Sequence, residues 1–214
     1  MLSPYPYPTR ALKNLRVKGR REAPMPSADF MELRSPRLIL RRFRPDDAAG
    51  LCAYRDLPEV ACYQSWEAFG PADAALLIAG QMGLNPNVPG TWLQLAMIVA
   101  ESGALVGDIG LHFRADESRQ VEIGITLSPA FQHRGYATEA VNCVLGYLFD
   151  TLGKHRVMAV TDTENQAAAA LFRRAGFRQE GHFIEHVWYK GRWGSEYWFA
   201  LLDREWRARS GGQS

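Results

Sequence analysis

Residues 121–140 read V-E-I-G-I-T-L-S-P-A-F-Q-H-R-G-Y-A-T-E-A. Val121, Ile123, Ile125 and Leu127 alternate with Glu122, Gly124, Thr126 and Ser128, the period-two pattern of a half-buried strand. Glu122 therefore points to the polar face. After Pro129 the period changes: Ala137, Ala140, Val141, Val144, Leu145, Leu148, Phe149 and Leu152 recur at the three- and four-residue spacing of an amphipathic helix. Between strand and helix lies the turn Gln132–Ala137. N–H groups at a helix start have no intrahelical acceptor and suit a phosphate, and Gly135 lets a ligand come close to the backbone.

Outward from this unit, Arg34 to Phe43 alternate as a first strand. Pro45-Asp46-Asp47 opens a helix with proline and acids in its first turn, carried by Ala48 to Arg55. Pro58 to Tyr63 and Pro71 to Met82 read as two further helices, and 84–90 as a turn-rich break. Trp92 to Ala100 and Ala104 to Arg114 read as strands joined at Glu101-Ser102-Gly103. With the strand at 119–128 they form an antiparallel meander. Beyond the long helix come a strand at 155–161, a helix at 164–175 stopped by Gly176, and two strands at 177–187 and 195–202. This order predicts an α+β fold, a mixed sheet packed by helices, with the strands at 119–128 and 155–161 side by side and parallel across a helical crossover.

The chain has 214 residues, 47% of them hydrophobic and 22% charged, which fits an ordinary globular domain. It has no apolar run long enough to span a bilayer and no secretory signal, so a cytoplasmic protein with no membrane partner is expected. Cys52, Cys62 and Cys143 are odd in number and lack a C-x-x-C pair, and the five histidines show no ligand spacing. Neither a disulfide framework nor a metal is expected. The net charge of +2 hides an asymmetry, because six basic residues and no acidic one fall in residues 1–21. The body is mildly acidic, which argues against a nucleic-acid partner. Residues 1–30 read as a disordered basic, Pro-rich extension: an upstream start before Met31, a flexible arm or a transit peptide. A single domain is expected over 31–206, with a flexible tail at 207–214, as monomer or homodimer.

The ordered motifs resemble one family. Q-H-R-G-Y-A at 132–137 is similar to the cofactor signature Q/R-x-x-G-x-G/A of the GCN5-related N-acetyltransferase (GNAT) superfamily. L-x-S-x-R-L-x-L-R at 33–41, E-I-G at 122–124, G-Y-A-T-E-A at 135–140, H-R-V at 155–157, N-x-x-A at 165–168 and A-G-F at 175–177 resemble its ribosomal-protein-alanine acetyltransferase (RimJ/RimL-like) subgroup. The resemblance runs from Leu33 to about Leu202. It implies a GNAT fold, a mostly antiparallel sheet with a splayed parallel pair, and acetyl-CoA as cosubstrate in the gap. It also implies an acetyl-CoA-dependent N-acetyltransferase acting on a primary amine, either a small molecule or a protein N-terminus. A CoA-binding module without turnover is the alternative from another class.

By that resemblance the cofactor lies along Ile125 and Leu127. Its pyrophosphate sits on Gln132, His133, Arg134, Gly135, Tyr136, Ala137 and Thr138, and its pantetheine arm near Asn165 and Phe172. Asn165 is also a favoured helix cap. Glu122 is either a solvated strand residue or the base that takes a proton from an amine whose pKa lies near 10.4. Asp108, Trp66 and Trp188 are candidates for holding the acceptor, each with a structural reading beside it; His112 is a weaker one. The family's usual hydroxyl for protonating the departing thiolate is missing, because alanine and phenylalanine occupy 168 and 172.

Overall fold

The strand-turn-helix unit lies within an eight-stranded sheet in the computed structural model, which describes residues 32–210. The strands are β1 (Glu32–Arg34), β2 (Leu38–Arg42), β3 (Thr91–Val99), β4 (Leu105–Phe113), β5 (Gln120–Leu127), β6 (Arg156–Asp162), β7 (Arg178–Tyr189) and β8 (Arg192–Leu202). Their spatial order is β1-β2-β3-β4-β5-β6-β8-β7, with every neighbouring pair antiparallel except β5 and β6. The helices are α1 (Ala48–Arg55), α2 (Pro58–Ala61), α3 (Pro71–Gln81), α4 (Tyr136–Gly146), α5 (Gln166–Arg174) and α6 (Asp203–Ser210). None is long and apolar enough to cross a membrane. The expected α+β class and the parallel β5–β6 pair are both present. Expectations for residues 1–30 lie outside the described residues.

Each face of the sheet carries its own helices. On one face, Leu93, Leu95, Ile109, Leu111, Val121, Ile123, Val157 and Phe199 pack against Ala140, Val141, Val144 and Leu145 of α4 and Leu171 and Phe172 of α5. On the other, Ala96 and Ile98 pack under Leu51 and Tyr54 of α1, Phe69, and Ala74 and Ile78 of α3. This second cluster covers β2 to β4 only, so the same face of β5, β6 and β8 has no helix from it.

Three elements differ from expectation. The single strand read over 34–43 is two strands, because Ser35-Pro36-Arg37 turns between them. Proline has no N–H for a ladder, and Ser35 closes the turn, its N–H donating to the Leu38 carbonyl at 2.9 Å and its Oγ accepting from the Leu38 N–H at 3.1 Å. The long helix ends in a wider turn at Tyr147–Thr151, where the Leu152 N–H donates back to the Tyr147 carbonyl. The chain after Leu202 forms α6, which begins inside the expected domain and includes residues 207–210 of the expected tail. Its charged sequence D-R-E-W-R-A-R-S shows no apolar stripe. Trp206 holds it by stacking on Phe149, with ring centroids 6.0 Å apart, and by donating to Asp150 at 3.0 Å.

Candidate active site

The sheet opens in the middle. β5 and β6 share the register pairs Gln120–Arg156, Val121–Val157 and Glu122–Met158 and none beyond, although β5 continues to Leu127 and β6 to Asp162. Past Glu122 the facing edges of the two strands have no ladder partner, and half-buried Ile125 and Leu127 lie on the unpaired stretch of β5. A parallel pair that stops midway leaves backbone donors and acceptors free to take an extended ligand as though it were a strand.

The turn above this gap is held in an unusual conformation. His133 has φ 61° and Gly135, the residue before α4, has φ 81°. Glycine takes the left-handed region without the cost a side chain brings. N–H groups from His133 to Thr138 donate to no acceptor among the described residues, so they form an open row of donors at the positive end of α4. Gln132 and Arg134 are exposed at the turn, and the Arg134 guanidinium lies 5.4 Å from the centre of the Phe131 ring. Gln132 spends its own N–H on the Pro129 carbonyl.

Arg37 and Glu139 brace the turn from behind. The Arg37 Nε donates to Glu139 Oε2 at 2.7 Å, its backbone N–H to Oε1 at 2.7 Å, and its Nη1 to the Arg134 carbonyl at 3.1 Å. Ser35 Oγ adds a bond to Glu139 at 2.8 Å. Burial alone would raise the Glu139 pKa, but the bonds from Ser35 and Arg37 outweigh it and hold the carboxyl below its usual value. The motif at 33–41 thus has a physical role, because its serine and arginine fix the first turn of α4. Neither partner is visible from the other in sequence.

Glu122 sits where the strands part. Cross-strand register places Trp92, His112, Glu122 and Met158 in one row on the same face of β3, β4, β5 and β6. His112 Nδ1 is buried without a hydrogen-bond partner and lies 3.8 Å from Glu122 Oε2, with the Trp92 ring stacked on the imidazole at 4.7 Å. Gly124, one step further along this face, has nothing within 4 Å of where a Cβ would stand. The carboxylate, on a side chain 17% exposed, therefore has the open space over Gly124 beside it, and the donor row of 133–138 follows at the far end of β5. Nothing local in sequence shows that β4 sets His112 opposite Glu122.

The other candidates are placed differently. Asp108 is fully buried, and its carboxylate accepts from Arg55 at 2.5 and 3.2 Å and from Tyr54 and Gln94, so its bonds are spent on anchoring α1 rather than left for an acceptor amine. Trp66 lies over that pair, with its ring 4.4 Å from the Arg55 guanidinium and its indole N–H on the Arg55 carbonyl at 2.9 Å. Trp188 stacks edge-on against Trp193 at the tip of the β7–β8 hairpin and is 60% exposed. Lys190 at that tip donates to the Ala61 and Trp66 carbonyls, which draws the hairpin against the loop after α2. Asn165 caps α5, its Oδ1 accepting the Ala168 N–H at 3.0 Å. Phe172 belongs to the core: it is 3% exposed, between Phe177 and Phe199, because the apolar stripe of α5 faces the sheet. It does not line the gap as expected.

A mixed, mostly antiparallel sheet that parts at its one parallel pair and is flanked by helices on both faces is the fold of GNAT-type acetyltransferases. The particular family follows from comparison: residues 37–178 match the acetyltransferase (GNAT) domain, and the chain belongs to that family as an acetyltransferase. Its relatives include the uncharacterized N-acetyltransferase p20 of Bacillus licheniformis, 31% identical over 81% of this chain and 97% of the relative. The uncharacterized N-acetyltransferase YnaD of Bacillus subtilis is 27% identical over 82% and 99%. Among solved structures, a GNAT-family acetyltransferase from Bacillus anthracis superposes with a TM-score of 0.74 at 26% identity, covering 81% of this chain and 99% of that one.

Proposed function

We propose that this chain transfers acetyl from acetyl-CoA directly to a primary amine, with Glu122 as the base and without a covalent enzyme intermediate. The observation that carries this reading is Glu122 at the point where β5 and β6 part, with open space over Gly124 beside it. The cofactor's pyrophosphate lies on the amides of 133–138, with Gln132 and Arg134 flanking it. Its pantetheine arm runs along Ile125 and Leu127 towards Asn165. The thioester carbonyl then sits at the vertex, where a free β5 N–H stabilises the oxyanion. Glu122 takes the ammonium proton, directly or through water, the nitrogen attacks the carbonyl carbon, and the carbon–sulfur bond breaks as the nitrogen gives its second proton to solvent. Solvent protonates the thiolate, which is far less basic than an alkoxide or amide anion and so leaves without a dedicated acid.

The test follows thiol release from acetyl-CoA with a panel of primary amines. Turnover supports an enzyme, whereas a thermal shift by acetyl-CoA with no turnover on any amine favours a non-catalytic CoA-binding module. No thermal shift at all removes the cofactor assignment. Gly135→Ala probes the turn itself. A Cβ there meets the left-handed backbone at φ 81° and comes 3.3 Å from Arg37 Nη2. The variant is expected to melt a few degrees lower and to lose about tenfold in acetyl-CoA affinity by calorimetry. Unchanged affinity would move the phosphate site elsewhere.

A further inference from the structure

The face of the sheet that carries Glu122 continues onto β6 and β8. Met158, the register partner of Glu122, begins a cavity of about 220 Å³ whose walls include Met158, Val160, Trp198 and Phe183. It starts one strand spacing, about 4.8 Å, from the Glu122 backbone and on the same face. Its walls are held in place. The Trp198 indole N–H donates to Glu196, which is 4% exposed, and the Phe183 ring lies 5.0 Å from Trp198. Phe183 reaches that position across Gly181, where a Cβ would stand 2.5 Å from the ring. The register shift between Gln179 and Gly181 supplies the local bend. The charges at the mouth are already matched, because Glu180 pairs with both Arg156 and Arg178, and Glu205 supplies the second carboxylate on Arg178. That rim offers no unpaired carboxylate for a second ammonium group.

We propose that this cavity is the acceptor's specificity pocket, and that the preferred substrate is a primary amine carrying a compact apolar group close to its nitrogen. The assignment rests on Glu122 marking the transfer site. An apolar arm seated between Met158, Val160 and Trp198 puts its amine beside the carboxylate, whereas a polyamine would bring a charge into an apolar, charge-matched site. The same chemistry occurs in a free arylalkylamine and in a peptide with an aromatic first residue.

The experiment compares kcat/KM for 2-phenylethylamine, ethylamine, spermidine, and two short peptides beginning with Phe or Gly. 2-Phenylethylamine is expected to exceed ethylamine by about tenfold or more, and spermidine to fall below it. A Phe-over-Gly preference in the peptides alone identifies a protein N-terminus as the source, and a preference in the free amines alone a small molecule; either supports the pocket. Val160→Asp, which sets a carboxylate in the wall, is expected to bring the phenylethyl-to-ethyl ratio close to one. Phe183→Ala, on the exposed edge strand, should cut it at least threefold and guards against misfolding of the first variant. Spermidine outrunning 2-phenylethylamine, or a ratio that neither variant changes, overturns the proposal. Acetyl-CoA binding without turnover of any amine removes the acetyl-transfer reading, and the pocket assignment with it.

Discussion

Glu122→Gln is expected to lower kcat by at least about a hundredfold, roughly 2.7 kcal/mol of barrier, and to leave acetyl-CoA affinity unchanged. The two effects separate because the residue stands at the vertex of the β5–β6 gap, while the donor row of 133–138 lies at the far end of β5. An alkylamine with a pKa near 10.4 is almost wholly protonated at pH 7, and its lone pair becomes available only when a base removes the proton. Glutamine keeps the shape and a hydrogen-bonding group but cannot accept that proton. The variant's rate should therefore rise with pH as solvent supplies the free amine, narrowing its gap to the parent as pH approaches about 10. Initial rates across that range at saturating acetyl-CoA provide the check. Equal rates at pH 7 would remove Glu122 as base while leaving the cofactor site standing.

What could be read from the sequence here was local. Alternation in 121–128 and the helical period after Pro129 each need only neighbouring residues, and they set the strand, the turn and the face of Glu122. Strand pairing is a different matter. The row of Trp92, His112, Glu122 and Met158 joins residues from four strands, and no spacing announces it. The Arg37–Glu139 brace likewise spans 102 positions. Asp108 shows how tertiary cover overrides a pattern: it sits on the polar side of its strand's alternation, yet α1 closes over that side and turns it into the most buried charge of the site region. The order of motifs supplied the family and with it the place of Asn165 beside the cofactor, whereas its cap role follows from the N-cap preference of asparagine alone. The same ordering put Phe172 in the gap, where the apolar stripe of α5 points it inward instead.

That buried charge carries the largest expected effect on stability. Arg55→Leu removes the cation from a pair whose side chains are 6% and 0% exposed, and it leaves the Asp108 carboxylate in the interior with only Tyr54 and Gln94 as donors. Breaking such a pair from one side costs about 3–5 kcal/mol, against a total of about 5–15 for a folded domain. Trp66 and Phe69 also lose the guanidinium they pack over, at 4.4 and 5.1 Å. Urea unfolding should show the midpoint falling with the slope unchanged, and Arg55→Leu combined with Asp108→Leu should regain part of the loss, because the uncompensated charge is gone. Alkali should expose the same cluster in the parent. Burial first, and the Asp108 carboxylate second, raise the Tyr54 pKa well above its usual value. The unfolded chain then gives up this proton first, so Tyr54's contribution is intact below about pH 10 and is lost as pH rises beyond it. Tyr54→Phe should flatten that alkaline decline, and an undiminished decline in the variant would place its origin in other groups.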